Sequence, residues 1–367
     1  MAPPPRPPPE LVADIVGEIL LLLPPTDPAT LVRASVVCKL WRRLLADPSF
    51  HRRYRAIHDT PLLGFLHDHY TYGAVSVPRF VSTLPRRSSP FPQPKLGHRD
   101  CSVLDCRHGR VPFDVCGYSI NLIVWDPITG HRHELPEPPI VRSLYSAAVL
   151  CAATVSGECD HLDCHGDPFL VVLMALDVTE SVTQAHVYSS ETGAWNLSAH
   201  PPGFYLATRY PTVLIGDYIY FAIIPRDTIL KYSLGKNCLS MIDPSAVYDM
   251  HGGIALMPME DDSPGLAGVL CLSRNPDPEV VAGWVQFRVI DLEPMAPIPF
   301  SSSVKVAGSA EGFSIIFVTT DVGVFTIELK SGHVKKVGTP GGCFTVFPFM
   351  SFYAPGILLA LCIPCLT

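Results

Sequence analysis

The densest collection of reactive side chains lies in Cys159-Asp160-His161-Leu162-Asp163-Cys164-His165, with Cys151 upstream and a rival set at Cys101, Cys106 and His108. Thiolate and imidazole are suitable zinc ligands, so Cys159, His161, Cys164 and His165 are the metal candidates. Their spacing argues against a site: four ligands within seven residues strain a tetrahedral shell, and structural sites usually draw their ligand pairs from separated segments. The stretch is expected to be an ordinary polar loop between strands, with reduced thiols and no zinc. Other chemistry is missing from the sequence. There is no Gly-x-Ser-x-Gly elbow, Gly-x-Gly-x-x-Gly turn or His-Glu-x-x-His helix. Gly235-Lys236 is followed by Asn237 and lacks the upstream glycine of a phosphate loop. The acidic run Glu260-Asp261-Asp262, ahead of Ser263-Pro264-Gly265, reads as a loop tip. No catalytic residue and no cofactor is expected.

Composition says what kind of scaffold holds these residues. The chain has 367 residues, 34 acidic and 27 basic side chains, and a net charge of −7. That balance argues against nucleic-acid binding by the protein as a whole. Only 17% of residues are charged and 48% are apolar, which excludes disorder for most of the chain. The 38 prolines forbid long helices, because each removes an amide donor and clashes with the preceding turn. A mostly β protein follows. The start of the chain carries Glu10, Asp14 and Glu18, and its only dense apolar run, residues 19–23, is five residues long, so no secretory leader is expected. No segment has the ~18 uninterrupted apolar residues of a membrane span. A cytoplasmic or nuclear location, with its 12 cysteines as thiols, is the expectation.

Residues 1–10 are nearly all proline and read as a disordered, extended tail. Residues 11–58 are the helical stretch. Apolar residues recur at Leu11, Ile15, Ile19 and Leu22, and again at Val12, Val16 and Leu20, at helical spacing. Pro24-Pro25 ends this helix, and Asp27-Pro28 and Asp47-Pro48 each supply a cap and a first-turn proline. Three helices are predicted: one before Pro24, then 28–46 and 48–58. Residues 59–95 are taken as linker and opening strands, and 96–355 as a large β domain. Short apolar runs such as 120–125, 169–176, 218–224, 285–290 and 315–318 have strand length. One phrase recurs between them, an apolar residue, a small or acidic one, then a Gly-containing turn. It stands at Trp125-Asp126…Gly130, Tyr188-Ser189…Gly193, Tyr232-Ser233-Leu234-Gly235, Ile290-Asp291 and Ile327-Glu328…Gly332. The mean step is near the ~50 residues of a kelch-type propeller blade, though the individual steps are irregular. A pair of β-sandwiches is the alternative architecture. Residues 356–367 form an uncharged apolar tail, expected to be peripheral to the fold.

Ten of the 13 residues from Leu11 to Leu23 are apolar, more than the stripe a helix needs for one packed face. A unit this small buries little of its own surface, so apolar area is left for something else to cover. Leu11-Val12-x-Asp14-Ile15-x-x-Glu18-Ile19-Leu20…Leu23-Pro24, followed by Leu31-Val32-Arg33-Ala34-Ser35-Val36-Val37-Cys38-Lys39-Leu40-Trp41, resembles the F-box. One departure is Leu11-Val12 in place of the usual Leu-Pro opening. The resemblance implies docking on the Skp-family adaptor of a cullin–RING ubiquitin ligase. By position it implies that Leu11, Ile15, Ile19, Leu20, Leu23, Pro24, Val36, Cys38 and Trp41 face the adaptor. Seven basic side chains from Pro28 to His58 stand against the single acid Asp47, which suits an acidic partner surface.

The β region is similar to the C-terminal halves of plant, particularly grass, F-box proteins in three phrases: Val103-Leu104-Asp105-Cys106-Arg107-His108-Gly109-Arg110, Val124-Trp125-Asp126-Pro127 and Phe347-Pro348-Phe349-Met350-Ser351-Phe352-Tyr353. That likeness implies a propeller-like domain for recognising an unknown protein target. The expected protein is a multidomain α+β chain with an F-box and an all-β propeller-like domain, acting as a non-catalytic receptor of a ubiquitin ligase. The alternative is a propeller-type enzyme or carbohydrate-binding module with an incidental helical start.

Overall fold

Proline and glycine punctuation divides the chain into short elements, and the computed structural model shows, among the residues it describes, four α-helices followed by 21 strands, with one short 3-10 turn at Ala152–Thr154. It describes residues 12–70, 76–83, 101–115, 117, 119–140, 145–154, 159, 161, 164, 166–177, 182–199, 210–223, 228–242, 250–258, 264–270, 304–310, 314–339 and 345–352. The proline tail, Leu11, the acidic run at 260–262, Ile290-Asp291 and the tail 356–367 lie outside these residues. The chain divides into two compact units, whose described residues are 12–61 with 351–352, and 62–83 with 101–350.

The first unit has helices α1 (Ala13–Leu21), α2 (Pro28–Ser35), α3 (Lys39–Leu45) and α4 (Pro48–Ile57). Four helices replace the predicted three, because the expected 28–46 helix breaks at Val36–Cys38. Cys38 is extended (φ −158°) and its Sγ accepts the Trp41 N–H at 3.5 Å, so a thiol caps α3 where no proline or glycine announces a break. Asp47 caps α4 as predicted, accepting the Ser49 N–H at 2.8 Å, and hydrogen bonding from the Ser49 hydroxyl first, then from that N–H, holds its carboxyl below the usual range. Asp27 makes no side-chain bond to the α2 backbone and instead accepts the Thr30 hydroxyl at 2.7 Å. Val16, Leu20 and Leu21 from α1 are buried, as are Leu31, Ala34, Leu45, Phe50 and Tyr54 from the other helices. The Tyr54 hydroxyl donates to the Leu23 carbonyl at 2.7 Å, and its ring lies 5.8 Å from Phe50 and 6.1 Å from Phe352.

The second unit is all β. Four antiparallel meanders of four strands each are β3–β6 (Cys101–Val103, Val111–Val115, Asn121–Trp125, Arg132–Glu134), β7–β10 (Tyr145–Cys151, Phe169–Asp177, Val182–Ser189, Ala194–Ala199), β11–β14 (Val213–Ile215, Tyr218–Ile223, Thr228–Ser233, Cys238–Ile242) and β17–β20 (Lys305–Ala310, Ile315–Thr320, Gly323–Glu328, Val334–Gly338). A fifth sheet joins the two ends of the unit: β1 (Leu62–Tyr70) pairs with β2 (Ser76–Ser82) on one side and with β21 (Val346–Met350) on the other. The ribbon β15–β16 (Met250–Pro258, Pro264–Leu270) lies beside β17, where the Ser309 hydroxyl donates to the Leu256 carbonyl at 2.7 Å. This is a five-blade propeller-like arrangement, with its ends closed by pairing of first and last strands.

Burial explains the blades. The first strands β3, β7 and β17 are buried along nearly their whole length, whereas the fourth strands β6, β14 and β20 are largely exposed. Alternation then splits the central strands between two cores. Ala147, Val149, Val171 and Leu173 pack toward Leu122 and Val124, while Ala148, Leu150, Val172 and Met174 pack toward Ile219, Phe221, Leu230 and Tyr232. The β7–β10 sheet is thus covered on both faces, which is why β7 and β8 read as unbroken apolar runs.

The recurrent phrase is the hairpin from the third to the fourth strand of the four-stranded sheets. Gly130, Gly193 and Gly332 have φ of +74°, +67° and +72°. Their N–H groups donate to Asp126, Ser189 and Glu328 carbonyls at 2.8, 2.9 and 2.8 Å. In the β13–β14 turn, Asn237 takes the left-handed position at φ +52°. Gly308 serves differently: a Cβ there would sit 2.4 Å from the Val346 carbonyl oxygen. Backbone cannot yield as a flexible side chain does, so Gly308→Ala is expected to cost ~1–3 kcal/mol. A melting temperature within a degree of wild type would refute that close approach.

Candidate adaptor-binding surface

Helix α1 carries two faces. Val16, Leu20 and Leu21 point into the helical core, and Val12, Ile15, Ile19 and Leu22, spaced by three and four residues, form a second stripe that stays exposed. Ile19 is 46% exposed and Leu22 76%. A second exposed apolar group, Val36, Val37 and Leu40, lies at the α2–α3 junction that Cys38 caps. α3 packs against both α1 and α2. Isolated surface hydrophobes are ordinary, but these groups of four and three match the surplus of apolar residues in the unit's sequence and mark a surface built to be covered.

Of the expected adaptor-facing residues, Ile15, Ile19, Pro24, Val36 and Cys38 are exposed, Leu23 and Trp41 are half-buried, and Leu11 is outside the described residues. Leu20 is 1% exposed and belongs to the core, because it sits one residue around α1 from the stripe. Val12, Leu22, Val37 and Leu40 were not among the expected residues, although the 12-15-19-22 spacing was readable in the sequence. Arg33, Lys39, Arg42, Arg43 and Arg52 are exposed on the same unit, and Arg53 pairs with Glu18 at 2.6 Å.

The β unit holds two polar clusters. In the first, Asp105 and Arg107 form a buried ion pair at 2.8 Å, with side chains 3% and 4% exposed. Asp105 also accepts the Val149 N–H at 2.9 Å, and Arg107 donates to the Thr212 carbonyl at 2.8 Å and hydroxyl at 3.2 Å. This pair joins the segment after β3 to β7 and to the approach of β11.

The second cluster gathers Cys151, Cys159, His161 and Cys164, whose ligand atoms all lie within 4.8 Å of one another. Three of these were metal candidates from the sequence. The fourth, His165, is outside the described residues, and Cys151 at the end of β7 completes the set instead. Cys101 and Cys106 are not part of it. His108 lies beside the cluster: its Nδ1 accepts the Cys151 N–H at 3.0 Å, and its ring stacks on His161 at 4.2 Å and 10°. Burial first, then the positive charge of Arg107, holds the His108 pKa down at about 2, so its ring is neutral. None of the seven described cysteines is in a disulfide.

Among the described residues no helix is long and apolar enough to cross a membrane. No curated protein matches the chain. Two solved structures resemble it. One is the α-L-arabinofuranosidase Arb93A from Fusarium graminearum in complex with an iminosugar inhibitor, at 14% identity over 67% of this chain and 82% of that chain, with a TM-score of 0.36. The other is the GH93 α-L-arabinofuranosidase of Fusarium graminearum with arabinobiose, at 10% identity over 70% and 82% of the two chains, with a TM-score of 0.33. Scores this low carry no argument about activity. The helical unit is another matter, because residues 9–53, which span the stripe and the Cys38-capped junction, match the F-box domain family: this part of the chain is an F-box domain.

Proposed function

We propose that the protein is a substrate-receptor subunit of an SCF-type cullin–RING ubiquitin ligase. Its F-box docks on a Skp-family adaptor and its β unit takes a target protein. The observation that carries this reading is the uncovered apolar stripe of α1, on the same residues that match the F-box. The exposed cations of α2–α4 favour an acidic partner surface and would chiefly raise the association rate. In this role the chain is non-catalytic. Ubiquitin transfer occurs on the conjugating enzyme, and the receptor contributes by raising the local concentration of a target lysine. The buried ion pair Asp105–Arg107 is consistent with that role, since its bonds are spent on holding sheets together. Cytoplasm or nucleus, where the ligase works, is the proposed location. The three phrases of the β unit support a place among plant F-box proteins.

Co-expression of the full chain with a Skp-family adaptor and its cullin tests the reading. A stable stoichiometric complex on size exclusion is expected. A folded chain that elutes alone at micromolar adaptor would overturn it, and retention of that lone chain on a glycan column would favour the carbohydrate-binding alternative.

A further inference from the structure

We propose that Cys151, Cys159, His161 and Cys164 form a structural zinc site in the β unit, independent of the adaptor surface. A tetrahedral shell with Zn–S of ~2.3 Å and Zn–N of ~2.0 Å sets ligand atoms roughly 3.5–3.8 Å apart. Here Cys159 Sγ and Cys164 Sγ are 3.3 Å apart, and Cys164 Sγ and His161 Nδ1 are 3.7 Å apart. All four ligand atoms fall within 4.8 Å of one another, so the set closes onto such a shell by a contraction of about 1 Å at its widest pair. Three thiolates with one imidazole select zinc over the hard cations, which prefer oxygen.

Four ligands within seven residues would strain a tetrahedral shell; folding relieves that by bringing Cys151 in from a separate segment. Cys151 closes β7, and the β7–β8 register pairs Cys151 with Phe169, so the strand end lies beside the returning loop. The ligands therefore come from two segments, one a strand end and one a loop. His161 adopts a left-handed conformation at φ +57°, which a non-glycine residue keeps only when its surroundings hold it there. That conformation puts its N–H on Cys159 Sγ at 3.3 Å while its ring turns toward Cys164.

A supporting shell surrounds the four ligands. The His161 N–H donates to the Cys159 sulfur at 3.3 Å, and the His108 ring stacked on His161 fixes the imidazole plane. The Arg110 guanidinium donates to the Cys164 carbonyl and to the Asp167 carbonyl at 2.6 Å, which anchors the loop and sets a positive charge beside it. Binding Zn²⁺ to three thiols and a neutral imidazole releases three protons and leaves a net charge of −1, which that guanidinium offsets.

The test uses the full chain purified under reducing conditions. Elemental analysis should find about one zinc per chain. Cobalt replacement should give tetrahedral d–d bands together with thiolate-to-cobalt charge transfer. Cys151→Ser and Cys164→Ser should each lower zinc affinity at least tenfold, while Cys238→Ser, at an exposed thiol in β14, leaves it unchanged. His161→Cys should retain the metal and change the cobalt spectrum, which keeps the proposal testable on wild type and this variant if the serine variants fail to fold. Folded wild-type chain that takes up no zinc when offered it, zinc kept at full affinity in Cys151→Ser, iron or copper in its place, or a Cys159–Cys164 disulfide under reducing conditions would each overturn the site.

Discussion

Ile19→Asp is expected to weaken capture of a Skp-family adaptor by roughly a hundredfold or more. Ile19 lies in the middle of the Val12-Ile15-Ile19-Leu22 stripe, where an adaptor contact would remove it from water. Desolvating a carboxylate without a partner costs several kcal/mol, and each ~1.4 kcal/mol is a factor of ten in affinity. The folded chain should tolerate the change, since Ile19 is exposed and the core of the unit rests on Val16, Leu20 and Leu21. Leu20→Ala supplies the contrast. It empties a buried site, at ~2–5 kcal/mol, and should lower the stability of the F-box without altering its exposed face. Calorimetric titration with adaptor, paired with thermal melts, separates the two. If Ile19→Asp binds as tightly as wild type while melting normally, α1 is not the adaptor surface.

The parts of this structure that were legible in the sequence are those decided within a few residues. The turn phrase at Asp126–Gly130, Ser189–Gly193 and Glu328–Gly332 marked a hairpin because a carbonyl, a polar side chain and a left-handed glycine act over five positions. The Asp47-Pro48 cap and the surplus of apolar residues on α1 were legible for the same reason. What sequence reading missed depends on chain segments that meet only after folding. Cys151 joins the cysteine loop because β7 and β8 pair, and an apolar run ending in Cys151 with a return run from Phe169 was the available hint. The α2–α3 break turns on one thiol acting as a cap, a role for which cysteine is an unusual choice. Irregular blade spacing, with first strands starting at residues 101, 145, 213 and 305, obscured the repeat.

Nothing in the sequence links Asp105 to Thr212, yet Asp105→Asn is expected to be the most damaging single-atom change in the β unit. The substitution keeps the volume and turns one carboxylate oxygen into an amide nitrogen. Asp105 Oδ2 accepts both the Arg107 guanidinium at 2.8 Å and the Val149 N–H at 2.9 Å. With its carbonyl oxygen in the Oδ2 position an asparagine still accepts both bonds, but its NH2 group then replaces the Oδ1 that faces the Thr212 hydroxyl at 3.5 Å, and the 4% exposed Arg107 guanidinium loses the Asp105 charge. Breaking a buried pair from one side costs ~3–5 kcal/mol. At about 2–4 °C per kcal/mol for a domain of this size, the transition of the β unit should fall by roughly 6–20 °C. Replacing both partners by apolar residues of similar size, as in Asp105→Leu with Arg107→Met, removes both charges together and should cost less than Asp105→Asn alone. That ordering is the critical comparison, because a purely steric role would make the double variant the worse of the two. Adaptor affinity, measured on the same proteins, should stay at its wild-type value, since the F-box has its own core. A melting temperature for Asp105→Asn within about 2 °C of wild type, less than one kcal/mol on the same scale, would show that the ion pair does not hold the sheets together.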